Sequence, residues 1–391
     1  MPDGRETPQA RLVGDLGEIG AARWNALAGT GNPFLRYEFL RALEESGSVG
    51  GETGWIPQHL VIEDEGGALL GAAPLYVKGH SYGEYVFDHG WAEAWQRTGH
   101  DYYPKLLSAV PFTPVPGPRI LVAPGDGAAE RRLGVAETLI AAARQLDVSS
   151  LHVTFVDAPG IEALEAAGYL IRRGYQFHWD NRGYKSFEDF LDTLASRKRK
   201  AIRKERRVVA EQGITIERLT GADLKAKHWD IFYALYTGTS DRKWGWPYLT
   251  RDFFHRLGAA MADDVMLVLA FRDGTPVGGA LNLIGTDALY GRNWGGGETI
   301  PFVHFEACYY QAIEFAIERG IARVEAGAQG EHKIQRGYLP VETASAHWIA
   351  DPGFRHAVAD FLERETASVR RDIETLKTFG PYRNESEVAE S

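Results

Sequence analysis

Cysteine is almost absent from this sequence: Cys308 is the single one among 391 residues. One cysteine cannot form an internal disulfide, and its scarcity is typical of proteins from a reducing compartment. Residues at the spacings of common metal sites, such as CxxC or HExxH, are missing as well. We therefore expect a fold held together by packing, with no structural disulfide and no metal cofactor.

Long apolar runs and a basic, apolar leader are also missing. The run VMLVLAF (265–271) has the length of a strand and is far too short to cross a membrane. The N-terminal residues MPDGRETPQARLVGDLG lack the charged and apolar regions of a signal peptide. The formal net charge of −10 argues against a general nucleic-acid-binding protein, so DNA is not expected as a partner. These features predict a cytoplasmic protein without a transmembrane segment.

The order of predicted elements indicates a mixed α/β protein with two domains. Apolar runs bounded by turn residues predict strands, and a 3.6-residue periodicity predicts helices, in both halves of the chain. Strands are predicted at 58–64 and 68–77 (a hairpin), 119–124, 150–156, 214–219, 265–285 (two strands about the turn DGTP), 287–294, 322–327 and 341–350. Helices are predicted near 101–109 and at 129–146, 186–211, 222–238, 304–320 and 353–378. The junction near WDN (179–181) separates domains 1–180 and 181–391.

One run of positive charge contrasts with the acidic balance. Residues 196–207, SRKRKAIRKERR, contain eight cationic side chains and one anionic side chain. On a helix, Arg199, Arg203 and Arg207 are four residues apart and form one cationic stripe. Two interpretations remain open: the stripe binds a phosphate of a substrate, or it is a solvated helix face that neighbouring acidic residues neutralise.

A short glycine pattern, [QR]-x-x-G-x-[GA], occurs twice, at Arg131–Ala136 and at Arg292–Gly297. Small residues let backbone N–H groups approach a pyrophosphate, and the N-terminus of a following helix favours its charge. The first match lies within a predicted helix, where packing explains the small residues. The second lies at the end of a predicted strand, with Gly295–Gly297 expected in a flexible loop that can approach a ligand, and is the stronger candidate for a donor site. Its candidate residues are Arg292, Gly295, Gly296 and Gly297.

The densest group of polar residues is GAQGEHKIQRGY (327–338), directly after a predicted strand. The sheets of α/β proteins usually present their sites at such strand ends. Acyl transfer to an amine needs a base for the acceptor and benefits from an acid for the leaving group. The candidates for base, acid and anion binding are, in that order, Glu331 or His332, Tyr338, and Lys333 with Arg336. A solvated loop with a Glu–Lys pair is the alternative.

The counterpart in the first half, HSYGEYVFDHGW (80–91), is too polar and aromatic for an ordinary surface turn. Its residues His80, Tyr82 and Glu84 are candidates for binding the acceptor in a pocket between the domains. Lys105 is a candidate for the same surface. The alternative interpretation is a hydrogen-bonded structural network.

Several long stretches resemble the FemAB-like predicted N-acyltransferases, and the glycine pattern resembles the cofactor-binding loop of GNAT acyltransferases. The stretches are NPFLRYEFLRALEESGSV (32–49), PLYVKGHSYGEYVFDHGWAEAW (74–95), YYPKLLSAVPFTPVPGPRIL (102–121), QFHWDNRGY (176–184), SRKRKAIRKERR (196–207) and GAQGEHKIQRGYLPVETASAHWI (327–349). The similarity spans nearly the whole chain. It implies two GNAT-like acyl-CoA N-acyltransferase domains in tandem, with α/β mixed sheets.

The resemblance implies a bacterial N-acyltransferase that moves an acyl group from an acyl-CoA-type donor to an amine by direct attack, with no tightly bound cofactor. The closest alternative is a Fem-type transferase that uses aminoacyl-tRNA and acts on a cell-wall precursor in peptidoglycan biosynthesis. The chain lacks the long heptad arm of some Fem transferases, which disfavours transfer RNA as a partner. A third alternative is a degenerate GNAT fold that serves as a binding or scaffold protein. The concentrated polar loops argue against it.

Overall fold

The computed structural model describes residues 8–243, 247–297, 300–327 and 330–383. Its strands are β1 (Gln9–Val13), β2 (Trp55–Pro57), β3 (His59–Glu63), β4 (Leu69–Ala73), β5 (Leu75–Lys78), β6 (Lys105–Ser108), β7 (Leu121–Val122), β8 (Ser150–Val153), β9 (Leu170–Asp180), β10 (Ile214–Leu219), β11 (Val265–Arg272), β12 (Thr275–Ile284), β13 (Ala288–Gly296), β14 (Arg323–Glu325) and β15 (Leu339–Ile349). Its α-helices are α1 (Ala21–Ala28), α2 (Tyr37–Glu45), α3 (His89–Gln96), α4 (Ala128–Gln145), α5 (Ala158–Ala166), α6 (Phe187–Asp192), α7 (Ser196–Glu211), α8 (Ala226–Lys243), α9 (Arg251–Met261), α10 (Val303–Phe305), α11 (Gln311–Arg319) and α12 (Pro352–Lys377). None of the helices within the described ranges combines the length and the apolar character needed to cross a membrane.

The chain forms two compact units. Among the described residues, the first unit contains 8–174 together with Glu342–Arg370. The second unit contains the described part of Tyr175–Val341 and residues 371–383. The sequence analysis assigned 342–370 to the second domain, whereas this segment packs within the first unit.

The first unit contains two sheets. Strands β1, β3, β4 and β7 form an antiparallel sheet. In the other sheet, β2, β5, β6 and β8 are joined by the end of β15, and only β6 and β8 run parallel. Leu139 and Ala143 of α4 pack with Leu60 and Leu151 in the core of this unit. This core fixes β5 and β6, at whose ends the polar segment 79–88 and Lys105 lie.

The second unit contains a mixed sheet in the order β10-β11-β12-β13-β14-β9. Neighbouring strands are antiparallel except for β13 and β14, which are parallel. A parallel pair needs a crossover connection, and the helical segment from Val303 to Arg319 supplies it. Ile313 of this crossover packs with Phe190 and Ile202 from α6 and α7. The crossover and α7 therefore lie beside the strand ends that are followed by the predicted polar residues 327–338.

A proline separates two strands that the sequence analysis took as one. The predicted hairpin is confirmed for β3 and β4, with Leu60 opposite Ala73. However, β5 belongs to the other sheet of the unit. Pro74 stands between β4 and β5, and it has no N–H with which to continue a strand ladder. The change of sheet leads β5 directly into the segment 79–88.

Two helix predictions differ from the structure. The helix expected near 101–109 is wrong, because Lys105–Ser108 is strand β6, fully buried between β5 and β8. A short apolar run has no period that distinguishes a buried strand from a helix. The helix expected at 186–211 is two helices, α6 and α7, and Leu194 between them pairs with Tyr382. This break makes the basic run the beginning of a separate helix.

Candidate functional site

A 3-10 helix at Glu331–Arg336 in the second unit carries most of the predicted catalytic residues. Gly330 precedes this turn with a φ of 108°, and Gly337 follows it with a φ of 94°. A Cβ atom at Gly330 would lie 2.4 Å from the ring of His332. Glycine is therefore required at this position both by its backbone conformation and by the ring that folds over it.

The helix that contacts this turn contains a π-helical segment, Glu306–Tyr310, between α10 and α11. Such π-turns are rare and occur frequently at functional sites. Tyr309 forms a hydrogen bond with His332, while the adjacent Tyr310 donates to Glu205 in α7. The sequence analysis predicted the helix but not the π-turn or the role of its tyrosines. The one available signal was the polar and aromatic character of EACYYQ (306–311), which is unusual for a buried helix.

His332 is one of two exposed side chains at the start of the turn. Its Nε2 lies 2.9 Å from the hydroxyl oxygen of Tyr309, and its ring centroid lies 6.2 Å from that of His304. Partial burial of the ring and the nearby charges of Lys333 and Arg336 lower the pKa of His332 below its ordinary value of 6.5. The imidazole is therefore neutral at pH 7, which is the form that accepts a proton.

Lys333, the next residue, is buried beneath the turn. Only 2% of its surface is exposed, and its Nζ donates to the carbonyl oxygen of Gly327 at 2.9 Å. Burial lowers the pKa of Lys333 to about 8. The Lys333 amine is therefore buried below the turn, and it holds its proton less firmly than the amine of an exposed lysine.

Arg336 joins the turn to α7. Its Nη2 lies 2.9 Å from both carboxylate oxygens of Glu205, and its Nη1 donates to the carbonyl oxygen of His332 at 2.8 Å. The guanidinium carbon lies 3.4 Å from the ring centroid of Phe305. The charge that the sequence analysis assigned to an anionic substrate is therefore used within the protein, where it fixes the turn.

The other two predicted acid–base residues differ sharply in environment. Tyr338 is fully buried, and its hydroxyl has no hydrogen-bond partner among the described residues. Burial raises the pKa of Tyr338 well above its ordinary value, so the phenol stays protonated. Glu331 is exposed at the start of the turn. Of Glu331, His332 and Tyr338, it is His332 that is both exposed and held in place by a hydrogen bond.

The second glycine pattern lies at the end of a strand. The strand predicted at 287–294 is confirmed for Arg292, but the prediction of a flexible loop is wrong for Gly295 and Gly296, because β13 continues to Gly296. A Cβ atom at Gly295 would lie 2.5 Å from the backbone of α8, and the N–H of Gly296 donates to Thr239 of that helix at 2.8 Å. Arg292 is half-buried within the strand. Only Gly297 of the three glycines has open space where a side chain would begin.

The first glycine pattern lies inside α4, as the sequence analysis expected for Arg131–Ala136. Ala136 is buried in the core of the first unit. The small residues of this match therefore belong to a packed helix.

The predicted cationic stripe of α7 is paired with carboxylates. The pairs are Arg199–Asp192 (3.3 Å), Arg203–Glu188 (2.5 Å) and Arg207–Glu211 (3.5 Å). These pairs agree with the interpretation of a solvated helix face whose charge is neutralised by acidic neighbours. The role of the stripe in phosphate binding stays a prediction.

In the first unit, the predicted residues surround a buried charge network. Lys78 and Lys105 have no exposed surface, and Glu84 and Asp88 are 4% and 2% exposed. Lys105 Nζ donates to Glu84 Oε2 at 2.7 Å and to Asp88 Oδ2 at 2.5 Å. Burial raises the pKa of Glu84 to about 7, and burial also lowers the pKa of Lys78 to about 7. Groups with strongly shifted pKa values concentrate at functional sites, although structural ion pairs also shift pKa values.

The side chains of His80 and Tyr82 lie outside the network, although the carbonyl oxygen of Tyr82 accepts a hydrogen bond from Lys78 at 3.4 Å. His80 Nε2 is 3.0 Å from the carbonyl oxygen of Thr53. Tyr82 is 64% exposed, with its ring centroid 5.1 Å from that of His80. Among the three residues predicted to bind the acceptor, Glu84 alone is part of the charge network.

Two histidines extend the network in a way that the sequence analysis missed. The hydroxyl of Tyr102 donates to Asp88 Oδ2 at 2.8 Å and lies 3.2 Å from His152 Nε2. His152 Nδ1 lies 2.7 Å from Nδ1 of His347. These two histidines are 195 residues apart, so no local pattern could have indicated their contact.

Comparison with known proteins identifies the family. The model of the FemAB-like family, described as peptidoglycan biosynthesis/recognition, matches residues 15–384. The chain belongs to the FemAB-like family. No curated protein sequence matches it at a significant level.

Two solved structures resemble this FemAB-like protein in fold. The crystal structure of FemX is 12% identical and aligns with a TM-score of 0.54 over 90% of this chain and 100% of its own. The C-terminal domain (DUF2156) of a putative lysylphosphatidylglycerol synthetase from Agrobacterium fabrum is 9% identical, with a TM-score of 0.54 over 90% of this chain and 97% of its own. The predicted family and the predicted fold, two GNAT-like domains with mixed sheets, are confirmed. Family and fold together support an acyl- or aminoacyltransferase in the broad sense.

Proposed function

We propose that this FemAB-like protein is an N-acyltransferase that moves an acyl group from an acyl-CoA-type donor to an amine, with the chemistry at His332. The observation that carries the proposal is the state of this side chain. Its imidazole is neutral at pH 7, exposed, and fixed by the hydroxyl of Tyr309. A fixed neutral imidazole in reach of solvent is the common form of a general base.

Direct attack needs the acceptor nitrogen to lose a proton. Because Nε2 of His332 is occupied by Tyr309, Nδ1 is the atom that takes this proton. The amine nitrogen bonds to the acyl carbon, the carbon–sulfur bond of the thioester breaks, and the sulfur leaves with the bonding electrons and gains a proton. The enzyme forms no covalent intermediate at this site.

We place the phosphates of the donor after β13. Gly297 has room for a ligand beside its backbone, and the crossover helix that begins at Val303 favours negative charge at its start. The Trp294 ring centroid is 5.0 Å from that of His304, which in turn neighbours His332. The proposed donor segment and the proposed base therefore belong to one aromatic cluster.

For the acceptor, we propose an amine-bearing cell-wall precursor. This choice rests on the description of the family as peptidoglycan biosynthesis/recognition. We infer an amine as acceptor from the proposed chemistry of His332, and a cell-wall precursor from the family description alone.

The test is release of free thiol from acetyl-CoA in the presence of a panel of amines that includes UDP-linked cell-wall precursors. Saturable, amine-dependent turnover that falls by about 10²–10⁴-fold in His332→Gln is the expected result. Lys377→Ala, at an exposed ion pair on α12, is the matched control and should retain turnover. Turnover that requires charged transfer RNA would replace the acyl-CoA donor with a Fem-type donor, and the absence of both turnover and ligand binding would favour a scaffold.

A further inference from the structure

The first unit contains a serine in an environment that favours nucleophilic chemistry. Ser81 is the central residue of GHSYG (79–83), a GxSxG sequence that directly follows β5. In hydrolases this sequence places a nucleophilic serine on a sharp turn between a strand and a helix. Here the chain continues irregularly as far as α3, and the contacts of the serine side chain indicate its chemistry.

Ser81 Oγ contacts a lysine and a tyrosine. It lies 2.8 Å from Lys105 Nζ and 2.8 Å from the hydroxyl oxygen of Tyr103. A neutral lysine beside a serine is an established alternative to histidine for removing the serine proton. Burial lowers the pKa of Lys105, but the carboxylates of Glu84 and Asp88 raise it by more, so the resting lysine is the cation that donates to Ser81. Ser150, another buried serine of this unit, contacts His152 at 2.9 Å and provides an internal comparison.

The lysine is connected to a carboxyl group that can receive the proton. Lys105 Nζ donates to Glu84 Oε2 at 2.7 Å. The second oxygens of Glu84 and Asp88 are buried and have no hydrogen-bond partner among the described residues. Burial places the pKa of Glu84 at about 7, where a carboxyl exchanges protons at neutral pH. Apolar side chains often replace buried ion pairs without loss of stability, so stability alone does not account for this network.

Ser81 is itself only 3% exposed, but its neighbours reach the protein surface. Its partner Tyr103 is half-buried, and the next residue, Tyr82, is 64% exposed. Residues 79–88 contain no helix or strand. Tyr85 in this segment has a φ of 61°, a left-handed conformation that is unfavourable for tyrosine and is found preferentially at functional sites. Access of an acyl compound to the serine oxygen requires a displacement of this irregular segment.

We propose that Ser81 is an acyl-accepting nucleophile for activated acyl compounds, namely thioesters and aryl esters. Lys105 passes a proton to Glu84 and takes the proton of Ser81 as Oγ bonds to the acyl carbon. The bond from that carbon to the leaving group breaks, and the leaving group departs with the electron pair and the proton from Lys105. Glu84 then returns its proton to Lys105. The products are an acyl-serine ester and the protonated leaving group.

This activity is independent of the reaction proposed at His332, because it uses no residue of the second unit. The test uses the full-length protein and p-nitrophenyl acetate. A burst of about one p-nitrophenolate per chain is expected, with an acetyl group found by mass spectrometry on the peptide that contains Ser81. Ser81→Ala should abolish the burst and the modification, while Ser150→Ala should retain both.

A second variant separates chemistry from folding. Glu84→Gln preserves the size of the side chain but removes the proton acceptor, so the burst should slow by on the order of 10²-fold in protein whose near-ultraviolet circular dichroism is unchanged. An undiminished burst in Ser81→Ala, or the absence of acylation by both p-nitrophenyl acetate and acetyl-CoA, would overturn the proposal. His332→Gln should leave the burst intact; if it abolishes the burst while Ser81 stays unmodified, the acyl group is taken at the second unit and the role of Ser81 is refuted.

Discussion

At the scale of single residues, His332 and Lys333 show how one turn creates two environments. The imidazole is largely at the surface and the amine is buried, although the residues are adjacent. In both cases burial disfavours the charged form and lowers the pKa. The charge of Lys333 further lowers the pKa of His332. The turn therefore keeps the exposed group in its basic form.

The choice between Glu331 and His332 as the base can be tested by substitution and pH. In wild type, kcat/KM should rise with pH through a pKa below 6.5 and then level, because the neutral imidazole is the active form. His332→Gln should lose about 10²–10⁴-fold in activity, and Glu331→Gln should stay near wild type. Lys333→Met removes a charge that lowers the pKa of His332, so the acid limb should move to higher pH. If the rise of kcat/KM on the acidic side disappeared in Glu331→Gln, Glu331 would be the base instead.

Lys333 should also influence stability at alkaline pH. Its folded-state pKa of about 8 lies below its ordinary 10.5, so the buried charge destabilises the fold fully below pH 8 and progressively less up to pH 10.5. Relative to Lys333→Met, the free energy of unfolding of wild type should rise by about 3 kcal/mol over this interval. Urea denaturation at pH 7.5, 9 and 10.5 measures the difference. Parallel curves for the two proteins would contradict the burial of this amine.

At the scale of elements, α7 carries ion pairs of two kinds. Arg203 and Glu188 have side chains that are 48% and 63% exposed, whereas Arg336 and Glu205 are 7% and 17% exposed. Exposed pairs contribute about 0–1 kcal/mol, because water screens them and the side chains lose entropy. Loss of one partner from a buried pair leaves an uncompensated charge. The inward pair therefore attaches the turn at 331–336 to α7.

Substitution on both faces of α7 measures this difference. Glu205→Gln should destabilise the protein by about 3 kcal/mol, and Arg203→Ala by less than about 1 kcal/mol. Thermal unfolding compares the two variants directly. Glu205→Gln should also reduce turnover, since Arg336 no longer fixes the turn that carries His332. Equal effects of the two substitutions would show that the inward pair is as hydrated as the outer one.

The elements that sequence alone could predict are those with local signals. Strands β11 and β12 were predictable because apolar runs flank the turn DGTP, and the constellation at 327–338 stood out by its local polarity. The partners of that constellation were not predictable. Glu205 is 131 residues from Arg336, and Tyr309 is 23 residues from His332. A contact at such separation is set by the packing of the crossover on the sheet and has no signature in either segment.

At the scale of the whole molecule, the first unit is built from two distant segments of chain. Residues 342–370 contribute Ala346 to its main core and Val358 and Leu362 to the cluster around Trp91. The end of β15 also pairs with β8. A fragment that ends at the predicted boundary, residue 180, lacks all of these contacts.

Fragments test this composition. Residues 1–174 joined to 342–370 by a flexible Gly/Ser linker should unfold cooperatively and show near-ultraviolet circular dichroism. Residues 1–180 alone should show neither property, because the exposed core surface favours a loosely packed state. The same fusion with a scrambled 342–370 segment controls for length and composition. Cooperative unfolding of 1–180 alone would show that the returning segment is dispensable.

The return of 342–370 to the first unit also has a consequence for biosynthesis. Domains usually fold in order as they leave the ribosome, with the N-terminal one first. Here the unit that is translated first cannot close its core until residue 370 has been synthesised. The nascent chain must keep one edge of β8 and part of the cluster around Trp91 uncovered while nearly two hundred further residues are added, a period in which chaperones and proteases compete for it. A premature stop codon anywhere before α12 would thus damage the beginning of the protein as severely as its end.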